Sequence, residues 1–95
     1  MRVKVSVSGI PTLRDAIGSK MVELDCPGRT IRAVIDSFLK LYGQRARKIL
    51  LDERGKLDPS IQVSLNHELI IPHDHHDMTS HEGDEIGFLI LVSGG

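Results

Sequence analysis

The first ten residues set a strict alternation. Val3, Val5 and Val7 fall on one side, with Arg2, Lys4, Ser6 and Ser8 on the other. A period of two predicts a half-buried strand. Gly9-Ile-Pro11 ends it, because proline donates nothing to a ladder. Thr12 is placed to cap a short helical turn over Leu13-Arg-Asp-Ala-Ile17, and Gly18 suits a left-handed exit. Lys20 to Asp25 alternates again, with Val22 and Leu24 on one face. The period then changes. Ile31, Val34, Ile35, Phe38, Leu39 and Tyr42 recur at helical spacing behind Thr30, a good N-cap, and Gly43 is placed to end the helix. A shorter helix is expected around residues 45–51, before the turn residues 52–55.

Ile61, Val63 and Leu65 alternate as a third strand, and Asn66-His67 sits where a hairpin turn leads into a short strand, residues 68–71. Pro72 places that strand at an edge. Residues 73–82 read as a polar loop, and Gly83-Asp84 turns the chain into a last strand. Along it Ile86, Phe88, Ile90 and Val92 share one side, and Leu89 and Leu91 take the other. Apolar residues on both sides mark a central strand, or one that shows an apolar face to a partner. Two hairpins around one helix, with the last strand returning parallel to the first, describe an α+β fold of the β-grasp (ubiquitin-like) type. It predicts a mixed sheet of about five strands packed against one main helix. The domain is expected to span residues 1–91, with a flexible C-terminal Gly-Gly tail over 92–95.

Ninety-five residues are enough for one core without metal or disulfide staples. With no Trp, one Tyr and two Phe, that core is aliphatic. One cysteine forbids an intramolecular disulfide and favours a reducing compartment. The start carries no long apolar run, so a cytoplasmic protein is expected, with no membrane span. Net charge is −1, but residues 1–50 carry +6 and residues 51–95 carry −7. No basic run with interleaved aromatics accompanies the positive half, so no nucleic-acid partner is expected.

The chain ends Leu91-Val-Ser-Gly-Gly95. Extended, these five residues reach roughly 16–18 Å, and a glycine pair lacking Cβ atoms passes through a narrow channel. Taken with Leu13-Arg-Asp-Ala-Ile-Gly18, Thr30-Ile-Arg-Ala-Val-Ile-Asp36, Tyr42-Gly43, Leu50-Leu-Asp-Glu53 and Gly83-Asp-Glu85, this end resembles the MoaD/ThiS-type ubiquitin-like sulfur carriers, especially the small subunit of molybdopterin synthase. The resemblance implies that the terminal carboxylate of Gly95 is the reagent. An E1-like, ATP-using enzyme adenylates it, and sulfur replaces AMP to leave a thiocarboxylate. The large catalytic subunit of molybdopterin synthase, or another sulfur acceptor, receives that sulfur. Val92, Ser93 and Gly94 would pass into the partner's active site, and the carrier binds no cofactor of its own. Leu89, Leu91 and Phe88 are the candidates for partner docking, although Phe88 alone reads most simply as core.

Two departures stand out. Many relatives carry two prolines where this chain has Ile90 and Leu91, and many have Asn-Gly where it has Asn66-His67, so a longer or strained turn is expected. The histidine-rich loop offers His73, His75 and His76 as weak metal candidates, but adjacent histidines on a loop seldom hold one geometry, and no metal site is expected. Cys26 reads as a small buried hydrophobe rather than a persulfide carrier. Carriers for cysteine or thiamine synthesis, a modifier joined to target lysines, and a non-covalent module remain as alternatives.

Overall fold

The computed structural model describes residues 1–90. In chain order the elements are β1 (Arg2–Ser8), α1 (Pro11–Ile17), β2 (Met21–Asp25), α2 (Ile31–Leu50), β3 (Ile61–Leu65), β4 (Leu69–Ile71), a 3-10 turn (His73–His75) and β5 (Glu85–Ile90). The sheet order is β2-β1-β5-β3-β4. β5 runs parallel to β1 and antiparallel to β3, so the last strand enters the middle of the sheet. This is the expected α+β, ubiquitin-like β-grasp.

The alternation works as read. Val3, Val5 and Val7 are buried beneath the helices together with Ile86 and Phe88 of β5 and Ile61 and Val63 of β3. From above, Ile31, Val34, Ile35, Phe38 and Leu39 of α2 close the core. The Phe38 ring lies between those of Tyr42 and Phe88, at centroid distances of 4.9 and 5.3 Å. Thr30 caps α2 as expected, its Oγ1 accepting the Ala33 N–H at 3.1 Å. Gly43, at φ 67° and ψ −147°, breaks the helical path, and a second helical segment follows at once. Only glycine adopts that backbone without strain.

One local expectation needs correction. Thr12 does not cap α1: the cap position is Ile10, without a side-chain bond, and Pro11 opens the helix with its fixed φ. Gly18 does supply the left-handed exit, at φ 78°. The β3–β4 connection is the longer, strained turn expected from Asn66-His67. Leu65 pairs with Leu69 around three residues, and Asn66 and His67 both have positive φ, 53° and 58°. Histidine there costs about 1–2 kcal/mol relative to an unstrained backbone. Asn66 offsets part of that cost by stitching the turn to β5. Its side chain donates to Asp84 at 3.1 Å and accepts from the Glu85 N–H at 2.8 Å.

Candidate docking face and terminal tail

One face of the sheet carries the helices, and the other carries none. Cross-strand register places Met21, Ser6, Gly87, Ser64 and Ile70 in one row straight across all five strands. The row is small in its middle and apolar at its ends. Met21 and Ile70 are 46% and 42% exposed. At Gly87 a Cβ would stand 2.5 Å from Ser64 Oγ and 3.1 Å from Ser6 Oγ, so the two hydroxyls crowd in over the glycine. The result is a shallow trough with apolar rims. In the next row Leu89 lies between Ser8 and Gln62, half-buried on this same face.

Leu89 therefore stands where a partner could reach it. Phe88 does not. It points the other way, is 1% exposed and packs on Phe38, so it belongs to the core and is withdrawn as a docking residue. Leu91, the third docking candidate, lies outside the described residues, as do Val92, Ser93, Gly94 and Gly95. β5 carries the chain toward them. Ile90, the last described residue, pairs with Ile61 and is 37% exposed. Met21, Ser6, Gly87, Ser64 and Ile70 were not singled out in the sequence. A glycine inside an apolar strand was the available signal, since it marks a close approach of other groups.

The turn entering β5 is electrostatically organised. Partial burial of the Asp84 carboxyl works against its charged form. The His81 N–H at 2.8 Å, Asn66 and the Ser80 hydroxyl at 3.2 Å outweigh that effect and hold Asp84 below the usual carboxylate range. Next to it, Glu85 meets the His67 imidazole.

The histidine loop holds no metal cluster. Among the described residues no three His, Cys, Asp or Glu side chains converge. His73 and His76 are neighbours, with ring centroids 5.6 Å apart, whereas His75 is exposed. His76 is 7% exposed and its Nε2 has no hydrogen-bond partner. Burial, then His73 and Arg32, push its basicity down against the opposing pull of Asp74. Meanwhile its backbone carbonyl accepts the Arg32 N–H at 2.8 Å, and that of Met78 accepts the Ile31 N–H at 3.0 Å. The loop thus satisfies the first turn of α2, which otherwise lacks acceptors. Cys26 is 1% exposed, and its Sγ accepts only the Ser37 hydroxyl among the described residues, at 3.5 Å, as a buried hydrophobe would.

The model of the ThiS family matches residues 11–95. The chain belongs to the ThiS family. Among solved structures, the small archaeal modifier protein 1 of Methanosarcina acetivorans is 30% identical, with 99% of this chain and 96% of that one covered and a TM-score of 0.72. CysO of Mycobacterium tuberculosis, described as an antigen, is 26% identical over 95% of this chain and 99% of its own, also at 0.72. A protein of Pyrococcus furiosus described as putative molybdopterin converting factor, subunit 1, shares the fold at 20% identity and a TM-score of 0.70, over 97% of this chain and 99% of that one. No curated protein matches. This ThiS-family domain is thus a member of the ubiquitin-like sulfur carriers and small modifiers. Among the described residues no helix is long and apolar enough to cross a membrane.

Proposed function

We propose that this ThiS-family protein is a sulfur carrier for molybdopterin synthesis, with Gly95 as the reacting residue. The carboxylate of Gly95 attacks the α-phosphorus of ATP on an E1-like enzyme and releases pyrophosphate. The acyl adenylate that forms is a good acyl donor, unlike the carboxylate. A sulfur nucleophile then displaces AMP and leaves the thiocarboxylate that a recipient, such as the large subunit of molybdopterin synthase, consumes. The observation that carries this reading is the family match, which runs through Gly94-Gly95 behind a strand emerging from the sheet centre. Both partners would read the open sheet face around Gly87 and Leu89 while the tail enters their active sites.

A second reading is conjugation of Gly95 to target lysines. The 30% identity to a small archaeal modifier protein favours it. Both readings share the adenylate and diverge after it. The test incubates the protein with ATP, an activating enzyme and a sulfur source, and weighs the intact product. Exchange of one oxygen for sulfur at Gly95 supports the carrier, and thiol-resistant conjugates support the modifier. If the chain lacking Gly95 is processed as well as the full chain, both fail.

A further inference from the structure

The helical layer carries a second surface that the sulfur-carrier chemistry does not use. Six cations, Arg29, Arg32, Lys40, Arg45, Arg47 and Lys48, lie on α2 or directly before it, and all are exposed. Among the described residues none lies within 4.0 Å of a carboxylate; the ion pairs there involve only Arg2, His67 and His81. Arg32 and Arg47, from the two segments of α2, meet Lys56 of the following loop around one groove of about 650 Å³. Ile35, Leu39, Leu51 and Leu57 give that groove apolar walls.

Two aspartates, Asp36 and Asp52, also line it, against three cations. Asp52 is occupied within its own loop, where Oδ1 accepts the N–H groups of Arg54 at 2.8 Å and Lys56 at 3.0 Å. Arg32, Arg47 and Lys56 therefore exceed the two carboxylates by one positive charge, and Asp52 is held toward its own loop. A cleft with apolar walls and excess positive charge is complementary to a segment that is apolar and acidic at once.

We propose that the groove between α2 and residues 51–59 docks an acidic, leucine-rich peptide segment of a partner protein. Nucleic acid fits less well, because single strands need aromatic platforms for their bases. Both phenylalanines are buried, and Tyr42, half-buried against Phe38, does not line the groove. The groove belongs to the helix layer, on the far side of the sheet from the open face. A segment bound there therefore leaves the docking face free.

The test titrates isotope-labelled protein with a synthetic peptide alternating Glu and Leu and follows the amide resonances. Shifts should cluster at Ile35, Leu39, Leu51 and Leu57. Raising salt from low to about 0.3 M should weaken binding on the order of tenfold, since exposed charges are screened over about a Debye length. The pair Arg32→Glu and Arg47→Glu should abolish the shifts. Arg14→Glu with Lys40→Glu, an equal change of net charge outside the groove, should not. Retained amide dispersion shows that each variant folds. Absence of shifts at millimolar peptide overturns the proposal. So does equal weakening by both pairs, tighter groove binding by oligouridine or by phosphatidylserine vesicles, or self-association through this face at low salt.

Discussion

Phe88 and Leu89 are consecutive, similarly apolar, and assigned opposite roles by the pleat, so replacing each in turn tests the placement of the docking face. Phe88 lies between Val7 and Val63 in register, is 1% exposed, and sits 5.3 Å from the Phe38 ring. Truncating a fully buried Phe to Ala costs about 3–5 kcal/mol. The aromatic pair it breaks, usually worth about 0.5–1.5 kcal/mol beyond area burial, places Phe88→Ala toward the upper end. A domain of this size holds about 5–15 kcal/mol in total, so the variant should remain folded but be close to its limit. With a urea slope near 1.5 kcal/mol per molar, the midpoint should fall by about 2–3 M. Leu89, between Ser8 and Gln62 on the open face, is different. Leu89→Asp should lower stability by about 1–2 kcal/mol, from partial loss of apolar burial and the poor strand propensity of Asp, well below the cost at Phe88. It should nonetheless slow ATP-dependent adenylation by raising KM for the carrier rather than by lowering kcat. Urea melts of both variants, with steady-state adenylation of Leu89→Asp, check the pair. If Leu89→Asp unfolds the protein while Phe88→Ala is tolerated, the assignment of faces is reversed and the docking proposal fails with it.

The pH dependence has two sources, and both lower stability in acid, over different ranges. The carboxyl of Asp84 is held below its ordinary value in the folded state, so its contribution is complete above the unfolded value near pH 4 and is lost as pH falls through the lower, folded value. Asp84→Ala should therefore destabilise at neutral pH and flatten the urea-midpoint profile below about pH 4; an unchanged acid slope would refute this role. For His76 the folded value is also lowered, but the charged form is the one disfavoured. Stability should be full above about pH 6.5 and fall below it, as the unfolded chain takes up a proton that the folded chain resists. His76→Leu should remove that slope in urea melts between pH 5 and 7, with a fall in the Arg32 amide protection factor accompanying acid in the parent protein only. His67→Gly should stabilise by about 0.5–1 kcal/mol through relief of the positive φ, because the exposed contact to Glu85 that it loses is worth little. A fall in the thermal midpoint would show that contact to be the stronger term.

Much of this protein is local and therefore legible in its residues. The alternation of Val3, Val5 and Val7, the helical spacing from Ile31 to Tyr42, the Thr30 cap and the break at Gly43 each depend on neighbours a few positions away, and the elements follow from them. Phe88 and Leu89 fall on opposite faces for the same reason. The start of α1 was misread because Thr12 and Pro11 offer competing local signals, and the fixed ring of Pro11 prevails at the first turn. Other features were settled only by packing. Whether Phe88 belongs to a core or a docking surface depends on which face the helix covers, and that is a property of the whole sheet. The row from Met21 through Ser6, Gly87 and Ser64 to Ile70 joins positions scattered along the chain, and only strand order and register align them. His76 looks like its neighbours in a polar loop. It becomes the buried, unpartnered one because the backbone of that loop is drawn against the N-terminus of α2 to satisfy its amides. Short-range stereochemistry determined the parts; which parts touch was decided by closing one core around them.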